Sequence, residues 1–525
     1  GATVEGRAHL KILGVTLDRL LHFGQHCSAI RKKVKPRTAH LRRMTGRSWG
    51  LGEAQLRAVA HGYVRGALEY CAAAWMPAAS SSHIEVVERE LRAVARVITG
   101  CPRSTPTDAL MAEAGILPAT VRRRALATRM FGLASSLPRG DPLRETAEAR
   151  APSRLVSVTG WRVEGREALA RAGLGDVPVE PRLRATLPPW SSAEGVTFRL
   201  DVGGRAGKSA PEEIRRAAAE ACLSELPADA VWIWTDGSAD GGVRRGGGGA
   251  LLAQPSGETS EVTVAAGLAC SSTRAELCAL RAALTTVMEL PIERQHIIVC
   301  TDSQASLRLL QSGPAVQTSS LGAEVWSALL ALRGSGHSVH LQWVPSHCGL
   351  EGNERADALA GEAATLSQDG VPVDTRTLAG AVRRAATRRW QASWPDGLFR
   401  AIWGEHLPTP VPSDDRDAAV NVHQLRAGHW GRAESYLHRI GRRPTPTCAG
   451  CSVLTCPAAY CIVCSEEADS PAHILFRCPS LAGTRLRLLG TIYPPPEAMR
   501  DASVVAALAA AFTRQMEPLR GYGAA

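Results

Sequence analysis

The stretch Val231-Trp-Ile-Trp-Thr-Asp-Gly-Ser238 decides the fold of this chain. Its residues alternate as they do in a β-strand, which predicts a short buried strand that ends on Asp236 and presents it on one defined face. Gly237 comes next and is expected to let the chain turn at little steric cost. One aspartate at a strand end is common, so its meaning depends on which other acidic residues arrive at the same point.

Three further acidic residues occur in contexts that aim them at this point. Glu276 opens a predicted helix, Asp302 ends a second apolar strand after Ile297-Ile-Val-Cys-Thr301, and Asp357 lies inside a later helix. Clustered carboxylates repel one another unless a cation neutralises them. Oxygen ligands favour Mg²⁺ or Mn²⁺ over zinc, and two such ions can drive an in-line phosphodiester displacement. The set indicates a two-metal nuclease, although each acid alone is better explained as a helix cap or a surface residue.

The region around these acids alternates strands and helices. Leu277, Leu280, Leu284 and Val287 form one helical apolar stripe. The glycine-rich run Arg244–Gly249 lies between two predicted strands and lacks the lysine and following helix of a phosphate-binding loop, so a hairpin is favoured. Strands are predicted near 230–236, 248–254, 259–267, 296–301 and 338–344, and helices near 273–289, 303–312, 319–333 and 352–365.

Bulk composition limits the class of protein. The chain has 525 residues and a formal net charge of +11, which favours an acidic partner such as nucleic acid. It contains no apolar run of about 18 residues, so no membrane span is predicted, and no secretory signal is visible. Because the sequence begins with Gly1, we expect a fragment of a longer protein. The 14 cysteines of a chain without a secretory signal indicate an intracellular, reducing compartment, nuclear or cytoplasmic.

A run of basic residues near the start has two readings. One is a solvated helix face, and the other is a surface that follows nucleic-acid phosphates. The second is favoured because no acidic residue interrupts the run and apolar residues are interleaved with it. The basic residues are Arg31, Lys32, Lys33, Lys35, Arg37, Arg42, Arg43 and Arg47.

Six cysteines lie close together near the other end of the chain. Cys461, Cys464, His473 and Cys478 have the spacing and ligand types that suit one tetrahedral Zn²⁺. The earlier cysteines form an incomplete set, which either binds a second zinc with a fourth ligand such as His438 or consists of free thiols. They are Cys448, Cys451 and Cys456.

The acidic segment resembles type 1 ribonuclease H in Thr235-Asp-Gly-Ser238, Thr273-Arg-Ala-Glu276, Thr301-Asp-Ser303 and His347–Asp357. The resemblance implies a domain with a mixed five-stranded sheet that cleaves the RNA strand of RNA–DNA hybrids. It implies that Asp236, Glu276, Asp302 and Asp357 hold two Mg²⁺ or Mn²⁺ ions, and that His347 assists proton transfer or product release. Ser271 and Thr273 fall where the family contacts the phosphate of the DNA strand. The basic helix that some members carry is not evident near 313–319.

Other segments resemble the C-terminal part of non-LTR retrotransposon polyproteins, namely Lys11–Asp18, Glu69–Trp75, Ile98–Pro106 and the Cys461–Cys478 motif. The resemblance implies a reverse transcriptase thumb-like region whose palm lies upstream, a possible partner of this chain. The alternatives are a catalytically inactive nucleic-acid-binding remnant, and a transposase or integrase of the same fold. The predicted regions are 1–135 (thumb-like, helical), 136–227 (connector), 228–366 (ribonuclease H domain, expected to cleave by itself), 367–445 (helical, basic), 446–480 (small zinc module) and 481–525 (helix and tail).

Overall fold

The computed structural model describes residues 8–149, 160–183, 193–203, 210–433, 436–437, 440, 461 and 463–521, with side chains as far as residue 518. These residues form two compact units. The first contains the residues up to Leu126 and those from Arg383 onward. The second contains the residues between Ala127 and Val382, apart from Gly160.

Eight strands are present in the described part of the chain. They are β1 (His9–Ile12), β2 (Val15–Asp18), β3 (Val196–Arg199), β4 (Val231–Asp240), β5 (Arg244–Ala253), β6 (Thr259–Ala269), β7 (His296–Thr301) and β8 (Ser338–Trp343).

The α-helices of the first half of the described chain are α1 (Gly24–Arg43), α2 (Glu53–Val59), α3 (Gly66–Leu68), α4 (Ala72–Trp75), α5 (Ser81–Thr99), α6 (Thr107–Glu113), α7 (Ala119–Ser135), α8 (Pro142–Glu148), α9 (Trp161–Arg171) and α10 (Glu212–Ser224). Those of the second half are α11 (Ser272–Glu289), α12 (Gln304–Gln311), α13 (Ser320–Gly334), α14 (Glu351–Thr365), α15 (Thr375–Ala392), α16 (Leu398–Trp403), α17 (Arg416–Arg426), α18 (Ala482–Leu489) and α19 (Ala502–Gly521). Of the helices described, none combines the length and apolarity that crossing a membrane would require.

A mixed sheet of six strands, ordered β3-β8-β7-β4-β5-β6, organises the second unit. Strands β3, β8, β7 and β4 pair in parallel, and β5 and β6 continue the sheet antiparallel. The five predicted strands are present as β4 to β8, but the predicted count of five is wrong. The sixth strand, β3, lies in the predicted connector. Its four residues, Val-Thr-Phe-Arg, alternate apolar and polar but are too few to predict a strand by themselves, and its hydrogen bonds come from β8, which is distant in sequence.

Tight helix packing explains the run of glycines in β5. A Cβ added at Gly247 or Gly249 would meet the backbone of α14, and one added at Gly248 would meet the backbone of α11. The run does lie in a hairpin, as predicted, but the glycines occupy the strand itself and not the turn. They allow a helix to approach each face of the sheet closely.

The core of the second unit extends beyond the predicted domain boundary. Val231 and Ile233 of β4 and the predicted stripe of α11 are all buried. The same apolar cluster includes Val196 of β3 and Ala219 and Cys222 of α10, which precede residue 228. Helix α10 is therefore an integral part of this packed unit.

The first unit begins with a hairpin and not with the single strand that Leu10–Leu17 suggests. Gly14, with φ of 86°, makes the turn between β1 and β2. Helices α1 and α5 follow, and Leu41 and Leu91 are buried in their shared core. Gly100, with φ of 66°, ends α5.

The C-terminal part of the first unit has its own apolar cluster. Cys461 and Cys478 are fully buried in it together with Trp430 and Phe512. The predicted zinc segment is thus packed into a larger core and is not a separate small module. Two helices, α18 and α19, follow the segment where one was predicted.

Candidate active site between the central strands

The centre of the sheet brings three predicted acids together. Asp236 lies in β4 where its parallel pairing with β7 ends, and Asp302 directly follows β7. Glu276 reaches the same point from the first half of α11. One carboxylate oxygen from each lies within 4.8 Å of the others. The predicted strand does not end at Asp236, because β4 continues to Asp240 along β5.

Gly237 serves a different purpose from the predicted turn. It lies inside β4, and a Cβ at this position would meet the backbone of Ala275 and Glu276. Its small size therefore allows the start of α11 to approach the strand. The N–H of Gly237 also donates to Asp236 Oδ1 at 2.7 Å.

The fourth predicted acid connects this cluster to the predicted histidine. Asp357 on α14 raises the pKa of Asp236 through a side-chain hydrogen bond and its charge, after the larger effects of burial and Asp302. His347 Nδ1 lies 3.9 Å from Asp357 Oδ2. Glu354, which the sequence reasoning did not select, joins these two within 4.8 Å. Glu354 lies three residues before Asp357 on one helix, and this spacing in the sequence could have predicted that the two side chains are neighbours.

Burial makes ionisation of the central carboxylates unfavourable. Burial, with the charge of Asp302 second, raises the pKa of Asp236 to about 7. Burial, followed by the charges of Asp236 and Asp302, raises the pKa of Glu276 well above its ordinary value. Thr301 Oγ1 donates to Glu276 Oε2 at 3.5 Å, a long contact that offsets little of this cost. A cation at this point would relieve the repulsion.

The residues predicted to contact phosphate lie at the start of α11. Ser271 is exposed and caps the helix, since its Oγ accepts from the N–H of Arg274 at 3.2 Å. Thr273 is half-buried in the first turn. Residues 314–316 form only a short 3₁₀ turn, in keeping with the basic helix not being evident there.

The predicted basic run lies on α1 and just after it, in the first unit. Arg31 pairs with Glu90 at 3.2 Å, Arg47 with Asp417, and Arg37 donates to the carbonyl oxygen of Tyr63 at 2.6 Å. These three arginines are engaged within the protein. Besides Arg31, the exposed basic residues of the run are Lys32, Lys33, Lys35, Arg42 and Arg43.

The structure brings all four predicted zinc ligands together. One ligand atom each of Cys461, Cys464, His473 and Cys478 lies within 4.8 Å of the others. Cys464 Sγ is 3.4 Å from His473 Nε2, and His473 Nδ1 is 2.7 Å from Glu467 Oε1. The incomplete set lies outside the described residues, as does its suggested fourth ligand; these are Cys448, Cys451, Cys456 and His438.

Comparisons with known proteins concern the second unit. The family model described as RNase H matches residues 228–365. The chain is 34% identical over 137 residues to the ribonuclease H of Polaromonas naphthalenivorans (strain CJ2), covering 25% of this chain and 84% of that protein. It is 33% identical over 142 residues to the ribonuclease H of Janthinobacterium sp. (strain Marseille), covering 25% of this chain and 94% of that protein.

Matches to solved structures cover a similar share of this chain. RNase H1 from Halobacterium salinarum NRC-1 is 28% identical, with a TM-score of 0.22, and the match covers 26% of this chain and 96% of that chain. The N-terminal RNase H domain of a Mycobacterium tuberculosis protein, solved as a fusion with maltose-binding protein, is 26% identical with a TM-score of 0.22. That match covers 26% of this chain and 94% of that chain.

Proposed function

This chain belongs to the ribonuclease H family through residues 228–365, and we propose that it cleaves the RNA strand of RNA–DNA hybrids. The observation that carries the proposal is the convergence of Asp236, Glu276 and Asp302 within 4.8 Å, with Asp357 adjacent. Three elements distant in sequence supply the first three acids. An accidental surface cluster would not bury two of them almost completely.

The donor set fits divalent cations of the Mg²⁺ type. It consists of carboxylate oxygens alone, and their mutual repulsion in a buried site is relieved when positive charge binds among them. Asp236, Glu276, Asp302 and Asp357 would hold two such ions. Bound there, Mg²⁺ or Mn²⁺ supplies a water nucleophile at neutral pH and stabilises the leaving oxygen of the phosphodiester.

Residues around the acids have separate roles in this proposal. His347 has an exposed imidazole near Asp357, which suits it to carry a proton to or from the reacting group or to assist product release. Ser271 and Thr273, at the exposed start of α11, would contact the phosphate of the DNA strand. Cleavage is expected to leave 3′-hydroxyl and 5′-phosphate ends.

A zinc ion is proposed for the Cys461 cluster. Three sulfurs and one imidazole are the ligands that zinc prefers. Glu467 occupies Nδ1 of His473, which leaves Nε2, the nitrogen on the side of Cys464, for the metal. The site would hold the buried C-terminal cluster together.

We further propose that the chain derives from a non-LTR retrotransposon protein that acts inside the cell, with a reverse transcriptase palm upstream. Residues 1–135 would then be thumb-like and bind the hybrid backbone. The exposed basic residues of α1 support this role, because one-signed charge along a helix attracts phosphates.

Digestion of end-labelled substrates tests the activity. The purified chain is incubated with an RNA–DNA hybrid, double-stranded RNA or double-stranded DNA, with Mg²⁺ or with EDTA. We expect cleavage of the hybrid alone, and only with the metal. Binding without cleavage would instead support an inactive remnant, and cutting of double-stranded DNA would support a transposase or integrase.

A further inference from the structure

The loop that carries His347 is hydrogen-bonded to a helix that precedes the nuclease segment. Arg215, near the start of α10, donates from Nη1 to the carbonyl oxygen of Ser346 at 2.8 Å. Its Nη2 donates to the carbonyl oxygen of His347 at 3.3 Å. One guanidinium therefore holds two successive peptide groups, and the planar arrangement of its donors restrains both at once.

The backbone of His347 needs such restraint. Its φ of 45° lies in the left-handed region, which is unfavourable for a residue with a Cβ. Its side chain is 73% exposed, so packing of the ring contributes little to its placement. The position of the imidazole relative to Asp357 therefore depends on how the main chain of the loop is held.

The other side of the loop is anchored from within the nuclease segment. Glu354 Oε1 accepts a hydrogen bond from the N–H of Gly349 at 3.3 Å. Cys348 and Leu350 are buried, with 1% and 6% exposure. These contacts hold the loop after His347, whereas Arg215 holds it at His347 and immediately before it.

Arg215 itself projects from a fixed support. Ala219 and Cys222, on the same helix, are buried in the core of the second unit. The Nε of Arg215 is also buried, so the guanidinium is partly enclosed and not a freely moving surface group. A cation on a rigid helix can therefore set the position of the loop.

We propose that Arg215 is a positioning residue that fixes the 346–349 loop and so directs His347 toward Asp357. Helix α10 is then part of the working nuclease, although it precedes the residues 228–365 that match the family model. The inference rests on the proposed function in one respect, which is that His347 assists cleavage.

Kinetics of the full chain on a labelled hybrid test the proposal through Arg215→Ala, His347→Ala and the double variant. We expect Arg215→Ala to lower kcat roughly tenfold, because small misplacements of a catalytic group are costly, while KM stays within about twofold. Arg215→Lys should recover part of the loss. Arg199→Ala is the matched control, since Arg199 precedes the same segment and pairs with Glu225 at 3.0 Å; its activity should equal that of the wild type.

The double variant separates positioning from general damage. If Arg215 acts through His347, the double variant should be no slower than His347→Ala alone. If the losses in kcat of the two single variants multiply in the double variant, Arg215 does not act through His347 and the proposal is overturned. A rise in KM with unchanged kcat would also overturn it, because that result would mean that Arg215 binds substrate. A normal rate for His347→Ala would contradict the role of His347, which is a failure of the proposed function.

Hydrogen exchange provides a readout that does not depend on cleavage. Amides of residues 346–350 should exchange faster in Arg215→Ala than in Arg199→Ala, while amides of β4 and β7 remain equally protected. Equal exchange of the loop in the two variants would overturn the proposal even if the chain cleaved no hybrid.

Discussion

The indole nitrogen of Trp343 donates a hydrogen bond to the carbonyl oxygen of Asp302 at 3.0 Å. Trp343 ends β8 and Asp302 directly follows β7, so this bond ties together the ends of two parallel neighbours. The backbone of Asp302 is thereby held by one side chain while its carboxylate faces Asp236 and Glu276. A substitution confined to the carboxylate should leave this support intact.

Asp302→Asn is expected to reduce hybrid cleavage by several orders of magnitude, because it removes a charged metal ligand while preserving shape. In EDTA the same variant should be as stable as the wild type or more stable, because one of the mutually repelling carboxylates is gone. Added Mg²⁺ should raise the melting temperature of the wild type more than that of the variant. Asp240→Asn, at the exposed end of β4, is the control for both measurements. Near-normal cleavage at saturating Mg²⁺ would remove Asp302 from the site.

Cys461→Ser or Cys478→Ser should lose one equivalent of zinc and lower the melting temperature of the first unit. Both cysteines are buried in the cluster that contains Trp430 and Phe512, so loss of the metal would loosen that core. Each ~1 kcal/mol lost should shift the transition by about 2–4 °C. Elemental analysis with calorimetry measures both effects. Cys71→Ser replaces an exposed cysteine and should change neither; zinc-free wild-type protein of the same stability would contradict the site.

The stability of the first unit should depend on pH through His423, which lies fully buried between two glutamates. His423 Nε2 is 2.8 Å from Glu53 Oε2, and Nδ1 is 2.7 Å from Glu113 Oε2. Burial alone lowers the pKa of His423, but the hydrogen bonds and charges of Glu113 and Glu53 outweigh it and leave the pKa above its ordinary value. Burial raises the pKa of Glu53, but His423 and Arg57 outweigh it and leave that pKa lowered.

The direction of the pH effect follows from these shifts. Because the pKa of His423 is raised in the folded protein, its contribution to the free energy of unfolding is fully present below about pH 6.5. This contribution is lost as the pH rises through the folded-state pKa. Because the pKa of Glu53 is lowered in the folded protein, its contribution to the free energy of unfolding is present above about pH 4.3. This contribution is lost as the pH falls through the folded-state pKa. Urea unfolding of the wild type should therefore show stability declining above pH ~6.5. His423→Gln should be less stable at pH 6 and lack that decline; parallel pH profiles for the two proteins would refute the assignment.

The chain should not polymerise DNA by itself. Its only Asp-Asp pair is Asp414-Asp415, and a polymerase needs paired carboxylates on a hairpin. Asp415 instead caps α17, since its Oδ1 accepts from the N–H groups of Asp417 at 2.9 Å and Ala418 at 3.3 Å. Primer extension on an RNA template with Mg²⁺ or Mn²⁺ should show no product. Synthesis that disappears with Asp414→Asn/Asp415→Asn would show that this pair is catalytic.

A fragment limited to residues 228–366 should be less stable than one covering residues 127–382. The shorter fragment lacks Val196, Ala219 and Cys222, which belong to the same core as β4 and β7. Removing a buried aliphatic side chain from a core costs roughly 1.5–3 kcal/mol in lost burial. Thermal unfolding of the two fragments measures the difference. Equal melting temperatures would mean that β3 and α10 contribute nothing, and that residues 228–366 form a self-sufficient domain.

Local sequence was sufficient to predict the elements from β4 to α14. Their signals are strong because apolar residues repeat at the strand or helix period, as in Val231 and Ile233 or in Leu277, Leu280 and Leu284. The motif around each acid, through its resemblance to type 1 ribonuclease H, also predicts that Asp236, Glu276 and Asp302 lie near one another. These features are encoded by neighbours in the chain and can be read without knowing its path through space.

Tertiary structure alone decided what depends on partners far away in sequence. Strand β3 forms because β8 offers it an open edge. Position 237 requires a glycine because α11 packs against it, not because the chain turns there. The thiols of Cys461 and Cys478 share a core with Phe512, which the zinc-ligand spacing does not reveal. The grip of Arg215 on the His347 loop likewise joins residues from two separate segments. The physical reason is that hydrogen bonds and packing act across space, whereas periodicity and spacing describe only neighbours along the chain.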